Sequence, residues 1–406
     1  MLDFDTALAQ LLAQAQAPSQ IEYVALAGAL QRVLAQDIVS ELNVPSFDNS
    51  AMDGYAIHVP DFNCPSEQYP IVQRIAAGEI GAELAAGQAA RIFTGAPIPA
   101  GANMVVMQEQ ASVVDGQLIV NTAAKAGANI RRVGEDIAQG AVILARGQRL
   151  TPAMIGLAAS VGVAKLPVFA PIRVALLSTG DELVEPGQPL QAGQIYNSNR
   201  YVLINALQAL GCVVRDLGIV PDDRAQTIAA LQKAAAEHDI LITSGGVSVG
   251  EEDHVKAAVE YLGQLNLWKI AIKPGKPFAY GKIHTTDSYG KIMGCDFIGL
   301  PGNPVSAYAT FLMLVRPFIL ARQGVQQTSV PRLPLVADFD WKKAGDRREF
   351  LRVRLNAAGQ LELFAKQGSG VLTSMVWGDG FVDLPAGETI SRGQTVSYIP
   401  FTAFSS

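Results

Sequence analysis

Between Pro171 and about Val325, strand-length apolar runs alternate with helix-length segments, and this alternation restricts the fold more than any other feature of the chain. Ile172 to Ser178 is an apolar run stopped by Thr179-Gly180-Asp181. Asn197-Ser198-Asn199 can cap a helix to about Leu210, and Gly211 ends it. Cys212 to Val220 reads as a second strand, followed by Pro221-Asp222-Asp223 and a helix to about Glu237. Asp239 to Thr243 is a third strand, and Ser244-Gly245-Gly246 opens the next loop. Asp253 starts another helix, strand-like runs follow near Leu267 to Ile272 and Phe278 to Ile283, and a helix from Pro304 to about Arg322 closes the unit. This order predicts a parallel, doubly wound α/β sheet, in which ligands sit at the carboxyl ends of the strands.

The flanks follow other patterns. Residues 1 to about 40 place Leu8, Leu11 and Leu12, then Leu26, Leu30, Val33 and Leu34, at helical spacing. From Val44 to Val142, and again after Pro331, short strands are punctuated by Gly and Pro. A chain of 406 residues exceeds what one core normally serves, so several domains are expected. Its net charge of −6 argues against general nucleic-acid binding, though not against a small anion met by a local cluster of cations. Met1 to Asp5 lacks the build of a signal peptide, and the apolar stretch from about Pro152 to Ala164 is shorter than the roughly 18–20 residues a bilayer requires. Three separated cysteines and four scattered histidines form no disulfide or zinc pattern. A cytoplasmic protein without membrane attachment is expected.

Several strings could carry chemistry, and each has a plainer reading. Ser178-Thr-Gly-Asp-Glu182 ends a strand and either faces a crevice or is a solvated turn. In Thr243-Ser-Gly-Gly-Val-Ser-Val-Gly-Glu-Glu-Asp253, Gly245 and Gly246 permit close backbone approach to a phosphate, although a purely structural loop fits too. Lys273-Pro-Gly-Lys-Pro277 holds two cations on a stiff backbone, suited to an anion or to a surface turn. Gly299-Leu-Pro-Gly-Asn-Pro-Val-Ser306 enters a helix with Asn303 as N-cap and Pro304 at its first position. Phe47 to Ala56, Thr94-Gly-Ala-Pro97 and Arg131 to Asp136 read singly as turns.

Together, in this order and with IYNSN (Ile195 to Asn199) and REF (Arg348 to Phe350), these strings closely resemble the MoeA family of molybdopterin molybdenumtransferases, related to the E domain of gephyrin. The resemblance implies four domains: residues 1–43 plus 136–170 as a discontinuous helical domain, 44–135 as a β-rich lobe, 171–325 as the molybdopterin-binding α/β domain, and 326–406 as a β barrel. It implies a homodimer whose cleft is lined by the central domain of one protomer and the β-rich lobe of the other. The implied substrates are adenylylated molybdopterin and molybdate, with AMP released and transient contact with a molybdopterin adenylyltransferase. It places Thr94, Asp136, Gly245, Gly246, Ser248, Lys273, Lys276, Pro277, Pro301, Ser306, Arg347 and Ser374 at substrate. Asp53, Glu182, Asp222 and Asp253 are its catalytic candidates.

Carboxylates beside anionic substrates repel them unless a cation intervenes, so Mg²⁺ is expected, with Asp222 and Asp253 as its ligands. The segment Ile283 to Phe297 looks longer and more polar than a minimal family loop, which suggests a surface insertion or a changed crevice rim. A scaffold role and adenylylation of free molybdopterin are the competing functions. The first lacks a linker or extra domain here, and the second does not account for the β-rich flanks.

Overall fold

The computed structural model describes residues 1–58, 68–121, 125–221, 223–246, 254–286 and 292–404. The central sheet has six strands in the order Val213–Val220, Arg173–Thr179, Ile240–Ser244, Ile292–Leu300, Pro277–Thr286 and Gly263–Lys269. Its first four strands are parallel; the fifth, Pro277–Thr286, runs opposite to them and pairs antiparallel with both of its neighbours. The expected all-parallel sheet is therefore a mixed one. The supposed insertion at Ile283 to Phe297 is the cause, because Pro277–Thr286 and Ile292–Leu300 pair as a long hairpin with His284 opposite Gly294. Polar residues at the far end of the hairpin give it the look of a loop, yet Cys295 and Phe297 are buried in the core.

Helices cover both faces. Ser198–Ala209 starts at Asn197, whose side chain accepts from the Arg200 N–H at 3.3 Å, and Arg224–Glu237 is capped by Asp223 at 2.8 Å from Gln226. The apolar stretch Pro304–Arg322 is long enough to cross a membrane by length and composition, but 83% of it is buried inside the fold. It is not a regular α-helix. Pro317 lacks the N–H that would bond back to Met313, and Phe311–Val315 forms a π turn between two α segments.

The first segment corrects the helical reading of residues 1–43. Phe4–Leu12 is its α-helix, and Phe4, Ala7 and Leu11 pack into one core with Leu176 and Leu203 of the central unit and Phe350 and Phe381 near the C-terminus. Ile21–Ala25 is instead a strand, paired with Lys165–Phe169. The helical spacing of Leu26, Leu30 and Leu34 is interrupted at Gln31, whose φ of 63° a right-handed helix cannot include. Leu34 packs in a small mixed core with Ile38, Leu144, Leu166 and Val168, and Leu26 lies against it, whereas Leu30 is exposed.

The lobe is a six-stranded sheet running from Met104–Met107 at one edge to Ala111–Val114 at the other. Near the C-terminus, Arg348–Leu355, Gly380–Leu384, Thr395–Pro400 and Leu333–Val336 form a path that Leu361–Leu363 closes, pairing with Arg348–Leu355 while Leu361 bridges Ala337. The result is a small barrel. One strand comes from the central unit: Ile272–Lys273 lies parallel to it, with Lys273 opposite Glu349. The lysine loop and the barrel are thereby fixed to one another.

Candidate functional site

A cleft of about 1070 Å³ opens at the carboxyl ends of the parallel strands, where such sheets place their ligands. Thr179 and Gly180 from one strand end and Ser244, Gly245 and Gly246 from another form one side, with Glu182 beside them. Lys273, Lys276, Pro277 and Arg347 form a cationic side, and Pro301 and Ser306 sit at the start of the Pro304–Arg322 helix. Segments far apart in sequence thus meet at one opening.

The cations are not equivalent. The Lys273 ammonium is 3.1 and 3.3 Å from the two oxygens of Glu349 and 5.8 Å from the ring centre of Trp341. It is not the solvated lysine that a surface turn would carry. Lys276 is exposed and has no ion pair among the described residues. Arg347 donates to the Ile272 carbonyl at 3.4 Å and lies 3.5 Å from the exposed Asp346.

The glycine loop differs from the expected phosphate cradle in one respect. The Gly245 N–H is already given to the Leu300 carbonyl at 3.0 Å, so it ties two parallel strands together rather than facing an anion. Positive φ values of 95° and 66° at Gly245 and Gly246 still require glycine there. At Gly246 an added Cβ would lie 2.7 Å from Val255 and 2.9 Å from the Thr179 hydroxyl. Asn303 occupies the N-cap position of its helix, but its side chain makes no capping bond. The Ser369 carbonyl, contributed by the 367–370 loop, instead accepts the Val305 N–H at 2.9 Å.

Three strings of the lobe come together away from this cleft. Asp53 accepts from both the N–H and the hydroxyl of Thr94, each at 2.8 Å, and these bonds hold its carboxyl below the usual range. Asp48 accepts from Arg132 at 2.7 Å and from the Val133 N–H at 2.8 Å. Asn49 bridges Pro97, and Ile130–Arg131 pairs with Asn49–Ser50. Asp136 is exposed beside this cluster, with its N–H on the Val44 carbonyl. Asp53, Thr94 and Asp136 do not line the cleft of their own chain.

Ser374 is also displaced from its expected place. It is fully buried, and its hydroxyl donates to the Val371 carbonyl at 2.7 Å and accepts from Arg352 at 3.2 Å. Besides Arg347, the C-terminal residues that reach the cleft are Gln367, Gly368, Ser369 and Gly370. Sequence reading also passed over Asn199 and Arg352. The buried Asn199 amide donates to the Ser244 hydroxyl at 2.8 Å and the Gly302 carbonyl at 2.7 Å, joining three loops of the site. Its place in the IYNSN string was the available signal; nothing in sequence marked Arg352.

Three family models match almost the entire chain: the MoeA N-terminal region (domain I and II) over residues 2–162, a probable molybdopterin binding domain over 175–321, and the MoeA C-terminal region (domain IV) over 334–401. The molybdopterin molybdenumtransferase of Haemophilus influenzae is 43% identical over 99% of both chains. The chain belongs to the MoeA family. The molybdopterin molybdenumtransferase of Synechococcus elongatus is 39% identical over 96% of both chains. Among solved structures, a molybdopterin biosynthesis MoeA protein from Pyrococcus horikoshii superimposes with a TM-score of 0.79 at 32% identity, covering 99% of each chain.

Within this MoeA chain, Ser248, Asp222 and Asp253 lie outside the described residues. Among the described residues no group of three or more His, Cys, Asp and Glu side chains could hold a metal, and Glu182 is the carboxylate that lines the cleft. A single hard oxygen donor suits Mg²⁺, which commonly takes one or two carboxylates together with substrate phosphates and water.

Asn199→Ala removes both bonds of the buried amide and leaves two acceptors without their donor. A loss of about 1–3 kcal/mol in stability is expected, measured by urea unfolding, with a parallel fall in substrate affinity because the loops separate.

Proposed function

We propose that this chain inserts molybdenum into molybdopterin, taking adenylylated molybdopterin and molybdate and releasing AMP. The observation that carries the reading is the single cleft in which Lys273, Lys276 and Arg347 meet the carboxyl ends of the parallel strands. The substrates are anions, and these residues supply local positive charge in a chain of net charge −6. The names of the full-length relatives support the same activity.

In this reading Lys276 and Arg347 hold anionic oxygens, and Ser306 adds a hydroxyl at a helix start. Glu182 stands near the phosphoanhydride, and Asp53 orients the incoming molybdate or water. Because Asp53, Thr94 and Asp136 cluster outside their own chain's cleft, the reading assigns them to the cleft of a second copy in a homodimer. The adenylylated substrate arrives by transient contact with a molybdopterin adenylyltransferase, and the compartment is the cytoplasm. Glu182, together with Asp222 and Asp253, would hold Mg²⁺, which would supply charge neutralisation at the phosphates and polarisation of the anhydride.

The experiment is direct. Purified protein is incubated with adenylylated molybdopterin and molybdate, and AMP and the product cofactor are quantified. Molybdate-dependent AMP release supports insertion; ATP consumption on free molybdopterin assigns adenylylation instead.

The two lysines should behave differently. Lys276→Ala removes a charge-assisted contact of about 1.5–3 kcal/mol, a tenfold to hundredfold loss of anion affinity, with unfolding unchanged. Lys273→Ala should also lower stability by about 1–3 kcal/mol, because Glu349 is left buried without its partner. Calorimetric titration with molybdate and urea unfolding of both variants separate the two effects.

AMP release should require Mg²⁺, and Asp222→Asn should raise the magnesium concentration needed without weakening molybdate binding. Full AMP release in excess EDTA defeats the assignment.

A further inference from the structure

The ion pair between Lys273 and Glu349 places a negative charge directly behind the cationic side of the cleft. The Lys273 side chain is 40% exposed and lines the cleft, whereas that of Glu349 is 7% exposed and does not. Both carboxylate oxygens lie within hydrogen-bond distance of the ammonium, at 3.1 and 3.3 Å. Backbone geometry fixes the arrangement, since Ile272–Lys273 runs parallel to the barrel strand with Lys273 opposite Glu349. Trp341 borders the ammonium on a further side. Gly345 leaves the carboxylate its room: an added Cβ there would be 2.6 Å from Glu349 Oε1.

We propose that Glu349 is a positioning residue that limits the affinity of the cleft for oxyanions, holding Lys273 as an oriented donor with much of its charge already balanced. The inference rests on the proposed anion-binding role of the lysine loop. An oxyanion reaching Lys273 meets a hydrogen-bond donor whose charge a buried carboxylate partly cancels, while Lys276 supplies the uncompensated charge. The cleft then binds molybdate reversibly instead of trapping it. The buried carboxylate also needs the lysine, so the barrel and the lysine loop stay in register.

Glu349→Gln keeps the shape and an oxygen that accepts from Lys273, but removes the charge. A unit charge several ångströms away in a partly solvated setting changes anion affinity by about three- to tenfold. Molybdate titrated calorimetrically into the full-length protein should therefore bind that much more tightly to Glu349→Gln, with a steeper salt dependence. Glu349→Asp keeps the charge and should retain the wild-type affinity. In a Lys273→Gln background the Glu349→Gln gain should persist, since the carboxylate then opposes the anion without its lysine. Unchanged or weaker molybdate binding in a folded Glu349→Gln protein overturns the proposal. If Glu349→Gln does not fold, Glu349→Met replaces it: tighter molybdate binding than wild type supports the proposal, and unchanged or weaker binding refutes it. Absence of molybdate binding to the wild-type protein would instead sink the anion-site reading itself.

Discussion

Asp53→Ala and Lys276→Ala proteins, each nearly inactive alone, should regain activity when their subunits are mixed and allowed to exchange. Asp53 is held by Thr94 in the lobe, and Lys276 lies in the cleft, so the shared site of the proposed homodimer would draw one residue from each protomer. In a mixed dimer one cleft receives both defects and the other receives none. With random exchange half the dimers are mixed, and each has one intact cleft of two, so activity should recover to about a quarter of wild type. The measurement is AMP release before and after exchange, with mixed dimers verified by differential tags. No recovery despite verified exchange would place both residues in one protomer's site.

Arg352→Ala should be the most destabilising single change in the barrel. The side chain is 1% exposed, and burial pushes its guanidinium down to about 10, so it remains charged at neutral pH. It donates to the Phe350 carbonyl at 3.2 Å, the Gly368 carbonyl at 3.3 Å and the Ser374 hydroxyl at 3.2 Å. Truncation leaves these acceptors buried and opens a cavity, together about 3–5 kcal/mol. The effect should reach the cleft, because Gly368 and Ser369 lie on the loop that lines it and accepts the Val305 N–H. Urea unfolding should show the stability loss, and weaker substrate binding should persist where the variant is still folded. A variant that unfolds like wild type would show that Arg352 is dispensable to the barrel. Arg352→Lys should recover little, since one ammonium cannot reach three acceptors in a planar fork.

Much of the site was legible because its parts are local. Gly245 and Gly246 need positive φ, Pro274 and Pro277 stiffen the lysine loop, and Pro304 begins a helix; each requirement acts within a few residues and leaves a mark in sequence. The strand and helix order from Arg173 to Val220 was legible for the same reason, since it follows from runs of apolar residues and their stops. Strand direction was not. Pro277–Thr286 and Ile292–Leu300 carry no residue that tells a hairpin from a loop with a crossover, and only their pairing makes the sheet mixed. Leu26, Leu30 and Leu34 kept helical spacing while Gln31 turned the chain the other way.

The sequence by itself determined the family, the α/β central unit and the residues able to meet an anion, because local backbone demands and residue chemistry are written position by position. Only the tertiary structure decided which of those residues are free to act. Lys273 is paired with Glu349, Ser374 is enclosed with Arg352, the Gly245 N–H is spent on Leu300, and Asp53 sits with Thr94 outside its own cleft. Each outcome depends on a partner distant in the chain, and a hydrogen bond or ion pair is set by where the folded backbone brings its two groups together.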